Sequence, residues 1–290
     1  MAKPIMHSLN APLAVAAILL SLTPLTQLRA DDSPKAEEIA AKHLDSIGDA
    51  ATRSAAKTRA VQGSATYRIV VGGGGREEGK TGLVTDGHKL RFLVRFPDEN
   101  YRGENFLFNG DVAQVGFANS NQSRSPLASF VTSQDVIVRD GLLGGALSTA
   151  WPLLDPAIRG AHLTNEGLKK VDGQKLYQVR YVPAKHSELD IFLYFDPETF
   201  HHVKTVYSLA VGTIMGHSVT DSARAQPQRD TLEEKFSDFK TADGLTLPTH
   251  WNLQFTRELP NGSTTVVEWD LKEDQIQNNI GLDPKNFAAK

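Results

Sequence analysis

The 290-residue chain contains no cysteine. This excludes disulfides, a thiol nucleophile, thiolate metal sites and a lipidated N-terminal cysteine. An exported chain of this size folds without disulfides, because staples matter most in small domains. Surplus basic charge is also missing. Lys and Arg number 31 against 34 Asp and Glu, a net charge of −3, and no basic cluster alternates with aromatics, so no nucleic-acid partner is expected. Long apolar runs are absent as well: Ala11 to Leu22 falls short of the roughly 20 residues that cross a bilayer. His186, His217 and His250 stand isolated, and no spacing matches a metal centre, so neither metal nor cofactor is expected.

What is present begins with a leader. Lys3 and His7 give a weakly basic start, the short apolar stretch follows, Pro24 breaks it, and Leu28-Arg29-Ala30 precedes Asp31-Asp32. This layout predicts a secretory signal peptide over residues 1–30, cleaved after Ala30. Its loss takes Lys3 and Arg29 and no acid, so the net charge moves from −3 to −5. The mature product, residues 31–290, is expected to be one domain, periplasmic and soluble, with no membrane segment once the leader is gone.

Ser33 to Ile47 predicts a helix, with Ser33 as cap, Pro34 in the first turn and Gly48 ending it. Ala36, Ile39, Ala40, His43, Leu44 and Ile47 form its apolar stripe; His43 reads as a satisfied boundary residue. Asp49 to Ala60 reads as a loop or a fraying continuation. From Val61 the period becomes two. Asp86-Gly87, Asn109-Gly110, Asp172-Gly173, Asp243-Gly244 and Asn261-Gly262 punctuate alternating runs. Such pairs suit tight hairpins, because both central residues of a type I′ turn need positive φ. The chain therefore predicts a meander of antiparallel strands, with Gly72–Gly75 as another hairpin tip. Leu189 to Phe195, apolar at successive positions, predicts a strand covered on both faces.

Gly141 to Leu154 has a different texture. It is apolar, but Gly144, Gly145 and Pro152 oppose a long helix. It reads as an apolar insert over one opening of the sheet, with the role of a movable lid. The tail from Asn278 is expected to pack through Leu282 and Phe287.

Three motifs suggest chemistry and are better read as structure. Gly74-x-x-x-x-Gly79-Lys80-Thr81 matches the phosphate-loop pattern, but a short strand and hairpin follow it, where the chemistry needs a helix N-terminus. Gly216-His217-Ser218-Val219-Thr220 resembles a nucleophile elbow with Thr220 in place of its last glycine. His201 and His202 point to opposite faces of a strand, so they do not chelate one ion. Glu233, Glu234, Asp238, Glu268 and Asp270 read as solvated sheet surface rather than a catalytic pair. The aromatic set is more informative. It reads equally as hydrophobic core or as cavity lining, because both use the same residues.

Taken in order, the N-terminal helix after a leader, the stretch Gly141–Leu154, Gly167–Gly173, Leu193–Phe200, Phe236–Phe239 and Asp243–Pro248 resemble the LolA/LolB-like superfamily of periplasmic lipoprotein and lipid carriers, and an exported subgroup of it. The resemblance implies a mainly β fold: a curved antiparallel sheet forming an unclosed half-barrel, its apolar concave face covered by the N-terminal helix and short helices and able to receive acyl chains. On that basis the candidate ligand lining is Phe92, Val94, Phe106, Phe108, Phe117, Leu142, Leu143, Trp151, Tyr177, Tyr181, Leu193, Phe195, Trp251 and Phe255. None of the family's working residues is transferred. The implied function is non-enzymatic: a monomeric carrier or sensor whose partner is a lipid or an acylated protein. A cell-envelope interaction module with a filled core, and a secreted hydrolase, are the other two readings.

Overall fold

Every strand among the described residues enters a single sheet. The computed structural model describes residues 33–117, 124–155, 160–212 and 227–288, all but Ser33 in the compact unit Pro34–Lys290. The first half of the sheet is β1 (Thr58–Val71), β2 (Arg76–Asp86), β3 (Lys89–Arg95), β4 (Gly103–Phe108) and β5 (Ala113–Phe117). The second half is β6 (His162–Val171), β7 (Gln174–Val182), β8 (Asp190–Phe195), β9 (His202–Val211), β10 (Gln228–Ala242), β11 (Leu245–Glu258) and β12 (Thr264–Asn278). The spatial order is β5-β4-β3-β2-β1-β12-β11-β10-β9-β8-β7-β6. Each half is a meander, and the pairing of β1 with β12 joins them. The sheet does not close, since β5 and β6 remain as its two edges. It is the expected half-barrel.

Hairpin chemistry sets this topology. All five Asx-Gly pairs lie at strand junctions. Asp172-Gly173 (φ 50° and 86°) and Asp243-Gly244 (φ 52° and 74°) carry positive φ on both residues, as the two-residue turn requires. Gly74 to Thr81 falls on the β1–β2 hairpin and runs into β2 rather than into a helix, so the phosphate-loop match is a hairpin tip. Most strands extend a few residues beyond their alternating cores. Leu189–Phe195 is covered on both faces only in part: Leu193 and Tyr194 are buried, and Phe192 is half-exposed.

The helices are α1 (Ala36–Ile47), α2 (Ala50–Ala55), α3 (Pro126–Ser133) and α4 (Val136–Arg139). α1 starts two residues later than the Ser33 cap predicts, with Lys35 at the N-cap. The stretch after it is not a loop: the Asp49 carboxylate accepts from Thr52 N and caps α2. The expected stripe of α1 faces the core, with Ala36, Ile39, Ala40, His43 and Ile47 buried. Phe287 is buried at the tail, and Leu282 is only half-covered. The leader, residues 1–30, and the Gly216–Thr220 motif lie outside the described residues.

α1, α3, α4 and the insert after them fill the concave side, where buried residues form one continuous core. Strand alternation decides which side chains enter it. Leu90, Phe92 and Val94 of β3, Phe106 and Phe108 of β4, and Trp251, Leu253 and Phe255 of β11 all point inward.

Candidate functional site

The concave face divides into a plugged centre and an open end. The insert makes the plug. After α4 it runs through 3₁₀ turns at Gly145–Leu147 and Pro152–Leu154, with Leu142, Leu143, Leu147 and Trp151 no more than 1% exposed. Two glycines permit the close approach. A Cβ on Gly144 would sit 3.1 Å from Leu83, and one on Gly145 would sit 2.8 Å from His202 Nδ1 and 3.1 Å from Phe236. Both residues have positive φ, which glycine tolerates.

Polar bonds staple the plug to the sheet. Gly144 N donates to Glu234 Oε1 at 2.8 Å, and Tyr207 Oη donates to Glu234 Oε2 at 2.6 Å. The buried Arg59 donates to the carbonyls of Ala146 and Leu147, at 2.7 and 3.2 Å. Trp151 Nε1 donates to His43 Nε2 at 3.1 Å, and His43 Nδ1 bonds the Phe200 carbonyl at 3.0 Å. Those two partners fix a neutral tautomer, with the proton on Nδ1. Burial pushes the His43 pKa down to about 3, and burial next to His43 holds His202 well below the ordinary histidine value. Trp151 stacks on His202 at 4.7 Å. His43 is thus a satisfied core residue rather than a boundary one. The insert, expected as a movable lid at an opening, is a packed layer of the core.

The open end lies toward the β1–β2 tip. A cavity of about 490 Å³ is bounded there by Tyr67, Ile69, Phe255, Val267 and Trp269 from the sheet, and by Tyr101, Glu104 and Leu127. Arg76, Glu77, Asp98, Asn100 and Arg124 ring it. Tyr67 and Tyr101 lie 4.3 Å apart between ring centres, and Tyr67 and Trp269 lie 5.7 Å apart. The aromatic wall is held by a hydrogen-bond chain. Trp269 Nε1 donates to Tyr101 Oη at 2.8 Å, Tyr101 Oη donates to Glu104 Oε1 at 2.8 Å, and Ser125 Oγ donates to the same oxygen at 2.6 Å. Ser125 also caps α3 by accepting from Ala128 N at 2.9 Å, so one carboxyl fixes the start of the covering helix. Burial raises the Glu104 pKa to about 7, against the opposing pull of Ser125 and Tyr101. Burial also raises Glu234 to about 7, opposed by Tyr207 and Gly144.

The sequence-predicted lining divides between these regions. Phe92, Val94, Phe106, Phe108, Leu142, Leu143, Trp151, Tyr181, Leu193, Phe195, Trp251 and Phe255 are buried in the common core. Tyr177 is half-buried against that core, stacked on Phe200 at 6.0 Å. Phe117 ends β5, and its side chain lies outside those described. Phe255 alone of the named set also borders the open cavity.

Glu104, Tyr101, Tyr67 and Trp269 are absent from the sequence-predicted lining, although the sequence carries a signal for one of them. Glu104 shares the strand parity of Phe106 and Phe108, so period two places an acid on the apolar face. The same parity with Leu232 and Phe236 corrects the reading of Glu234 as solvated surface, since it is fully buried. Glu273, in step with Leu271, is buried beside a separate cavity of about 420 Å³. Burial raises its pKa to about 8, with a further push from Asp274.

The rest of the named carboxylates, Glu233, Asp238, Glu268 and Asp270, lie on the solvated face as expected. Arg68 pairs with Glu268 at 2.7 Å, and the half-exposed His250 bonds both Ser237 Oγ, at 3.1 Å, and Asp270, at 2.5 Å. Ser237 is exposed and faces His250 directly across the β10–β11 ladder, a cross-strand polar row on open sheet. Among the described residues no group of three or more His, Asp or Glu is placed to hold a metal ion. None of their helices is long and apolar enough to cross a membrane.

No family model and no curated protein matches the chain. Among solved structures, the chain is similar to a LolA superfamily protein from Nitrosomonas europaea, at 14% identity over 89% of this chain and 99% of that one, TM-score 0.44. It is also similar to a DUF1329 family protein from Desulfovibrio piger, at 13% identity over 87% and 97%, TM-score 0.45. A third is a domain described as an outer membrane lipoprotein-sorting protein from Vibrio parahaemolyticus, at 10% identity over 87% and 95%, TM-score 0.43. None of the three reaches a TM-score of 0.5.

Proposed function

We propose that the chain is a non-enzymatic, monomeric carrier or sensor, exported to the periplasm by its leader, that holds an acyl chain of a lipid or acylated protein in the open end of its half-barrel. The observation that carries this reading is the cavity of about 490 Å³ walled by Tyr67, Phe255, Val267 and Trp269 and ringed by charged residues. An apolar wall under a polar rim suits an amphiphile, and the volume lies in the ordinary range of small-molecule sites. Each buried CH₂ contributes about 0.8 kcal/mol, so a chain of about 14 carbons offers on the order of 10 kcal/mol before ordering costs. The candidate lining from the sequence acts here as the packed floor and plug against which that end stays open.

The sheet edges speak against an interaction module built on strand addition. β5 is five residues long, and β6 carries an irregularity between Asn165 and Leu168 followed by Lys169 and Lys170. Short, irregular, lysine-bearing edges resist pairing with another chain.

Native mass spectrometry of protein purified from its own cell envelope tests the proposal. The expected result is a population heavier than the bare chain by a lipid mass, and uptake of a fluorescent fatty acid after delipidation. A bare mass together with no uptake overturns it.

A further inference from the structure

Glu104 is the one carboxyl among the cavity-lining groups that is buried, at 1% exposure. Its hydrogen bonds are lopsided. Tyr101 Oη and Ser125 Oγ both donate to Oε1, at 2.8 and 2.6 Å, and Oε2 holds no hydrogen bond among the described residues. Glu234 offers the contrast, with one donor on each oxygen. Oε2 is not sealed off as the unpartnered Glu273 Oε2 is; it belongs to a residue that borders the cavity, where a donor can meet it.

We propose that Glu104 reads the ligand's head group: the cavity takes an amphiphile whose head donates hydrogen bonds, an ammonium or a hydroxyl, and disfavours an anionic head. This rests on the carrier reading above and names its ligand class. The donor side is filled on Oε1, so the atom left for a head group is an acceptor when the carboxyl is charged. An anion beside it meets like-charge repulsion in a dry setting. The charged groups around it do not reverse that preference. At the rim Arg76 and Arg124 are balanced by Glu77 and Asp98, and Arg76 is already paired with Glu78 at 3.3 Å. The titratable neighbours facing Glu104 are the phenols of Tyr101 and Tyr67, both raised by burial and by Glu104 itself; they remain neutral near pH 7. From α3 the facing group is the uncharged Ser125, and from β12 it is the Trp269 indole, through Tyr101. Burial brings the Glu104 titration to about pH 7, so the preference for an ammonium head strengthens as pH rises through that value.

The test is calorimetric titration of the delipidated full protein with tetradecylamine, tetradecanol and tetradecyl sulfate, kept below their micelle concentrations, at pH 6 and pH 8. Amine and alcohol are expected to bind at least tenfold more tightly than the sulfate at pH 8. The amine-to-sulfate ratio should grow several-fold from pH 6 to pH 8, and Glu104→Gln should erase that growth. The wild-type ranking and its pH trend stand without the variant, so a Glu104→Gln protein that fails to fold leaves the decision to them. Equal binding of the three heads, or tighter binding of the sulfate, overturns head-group reading while leaving the carrier reading in place. No binding of any probe overturns both.

Discussion

Two buried glutamates on one concave face have opposite surroundings. Glu234, at the centre, meets a backbone N–H of the insert on one oxygen and the Tyr207 hydroxyl on the other. Glu104, at the open end, takes both donors on one oxygen and borders a cavity of about 490 Å³. The residues over Glu234 are Gly144 and Gly145, which let a chain segment lie directly on the sheet. Those beside Glu104 are tyrosines and a tryptophan, which pack on one another along the cavity wall. The apolar trough of a half-barrel is therefore not one site. Where a segment of the chain itself completes the hydrogen bonds and fills the volume, the trough is core; where it stops short, the trough is available.

The sharpest way to break that contrast is to truncate one aromatic in each region. Trp151→Ala, in the plug, should cost about 3–5 kcal/mol, as for buried Trp and Phe truncations generally, and it also strips His43 Nε2 of its donor. Urea denaturation reads this as a large fall in midpoint, and a change below about 1 kcal/mol would mean that the plug does not carry the fold. Next in size, Glu234→Ala leaves the Tyr207 hydroxyl and the Gly144 N–H buried without an acceptor. Unmet buried donors cost about 1–3 kcal/mol each, so a loss of about 3 kcal/mol is expected by the same assay. Near-neutrality would mean that Glu234 does not anchor the insert.

A pH series sharpens the comparison further. Folding raises Glu104 and Glu234 from 4.5 to about 7, and Glu273 to about 8. The folded chain thus binds more protons than the unfolded one across that window, and stability falls as pH rises through it. His43 acts in the opposite sense. It stays neutral down to about pH 3 when folded and protonates near 6.5 when unfolded, so its contribution is lost as pH falls below 6.5. Above 6.5 the histidine effect, to which His202 also contributes, dies away within about a unit, and the effect of the three acids dominates. The urea midpoint should decline from pH 6.5 to pH 8, and Glu234→Gln and Glu104→Gln should each flatten the decline. A midpoint that rises over this range contradicts the burial of these acids. The smallest stability effect belongs to the open end. Tyr67→Ala should cost about 1–2 kcal/mol, since the ring is half-buried and packs on Tyr101 and Trp269. It should nonetheless weaken uptake of a fluorescent fatty acid about tenfold, a loss of about 1.4 kcal/mol.

Local signals made the frame legible. The Asx-Gly pairs marked the hairpins, period-two runs marked the strands, and the glycines of the insert ruled out a rigid helix. Which strand faces the core followed from alternation at Phe92, Val94, Trp251 and Phe255. The division of the trough was harder to read, because it depends on contacts between distant segments: Gly144 on Glu234 across 90 residues, and Trp151 on His43 across 108. Core and lining use the same aromatics, so composition does not separate them. The acids do. Glu104 and Glu234 each sit in phase with two inward-facing apolar neighbours, and reading that phase for charged residues as well as apolar ones would have pointed to both regions. α2 shows no periodicity because its six residues bury nothing; its sign in the sequence is the cap at Asp49.

Photo-crosslinking with a diazirine-bearing tetradecyl amphiphile, followed by peptide mapping, tests the division of the trough most directly. Adducts are expected on peptides carrying Tyr67, Tyr101 or Trp269. Adducts concentrated on Leu142, Leu143 and Trp151 would show that the plug yields to the ligand, and would contradict that division.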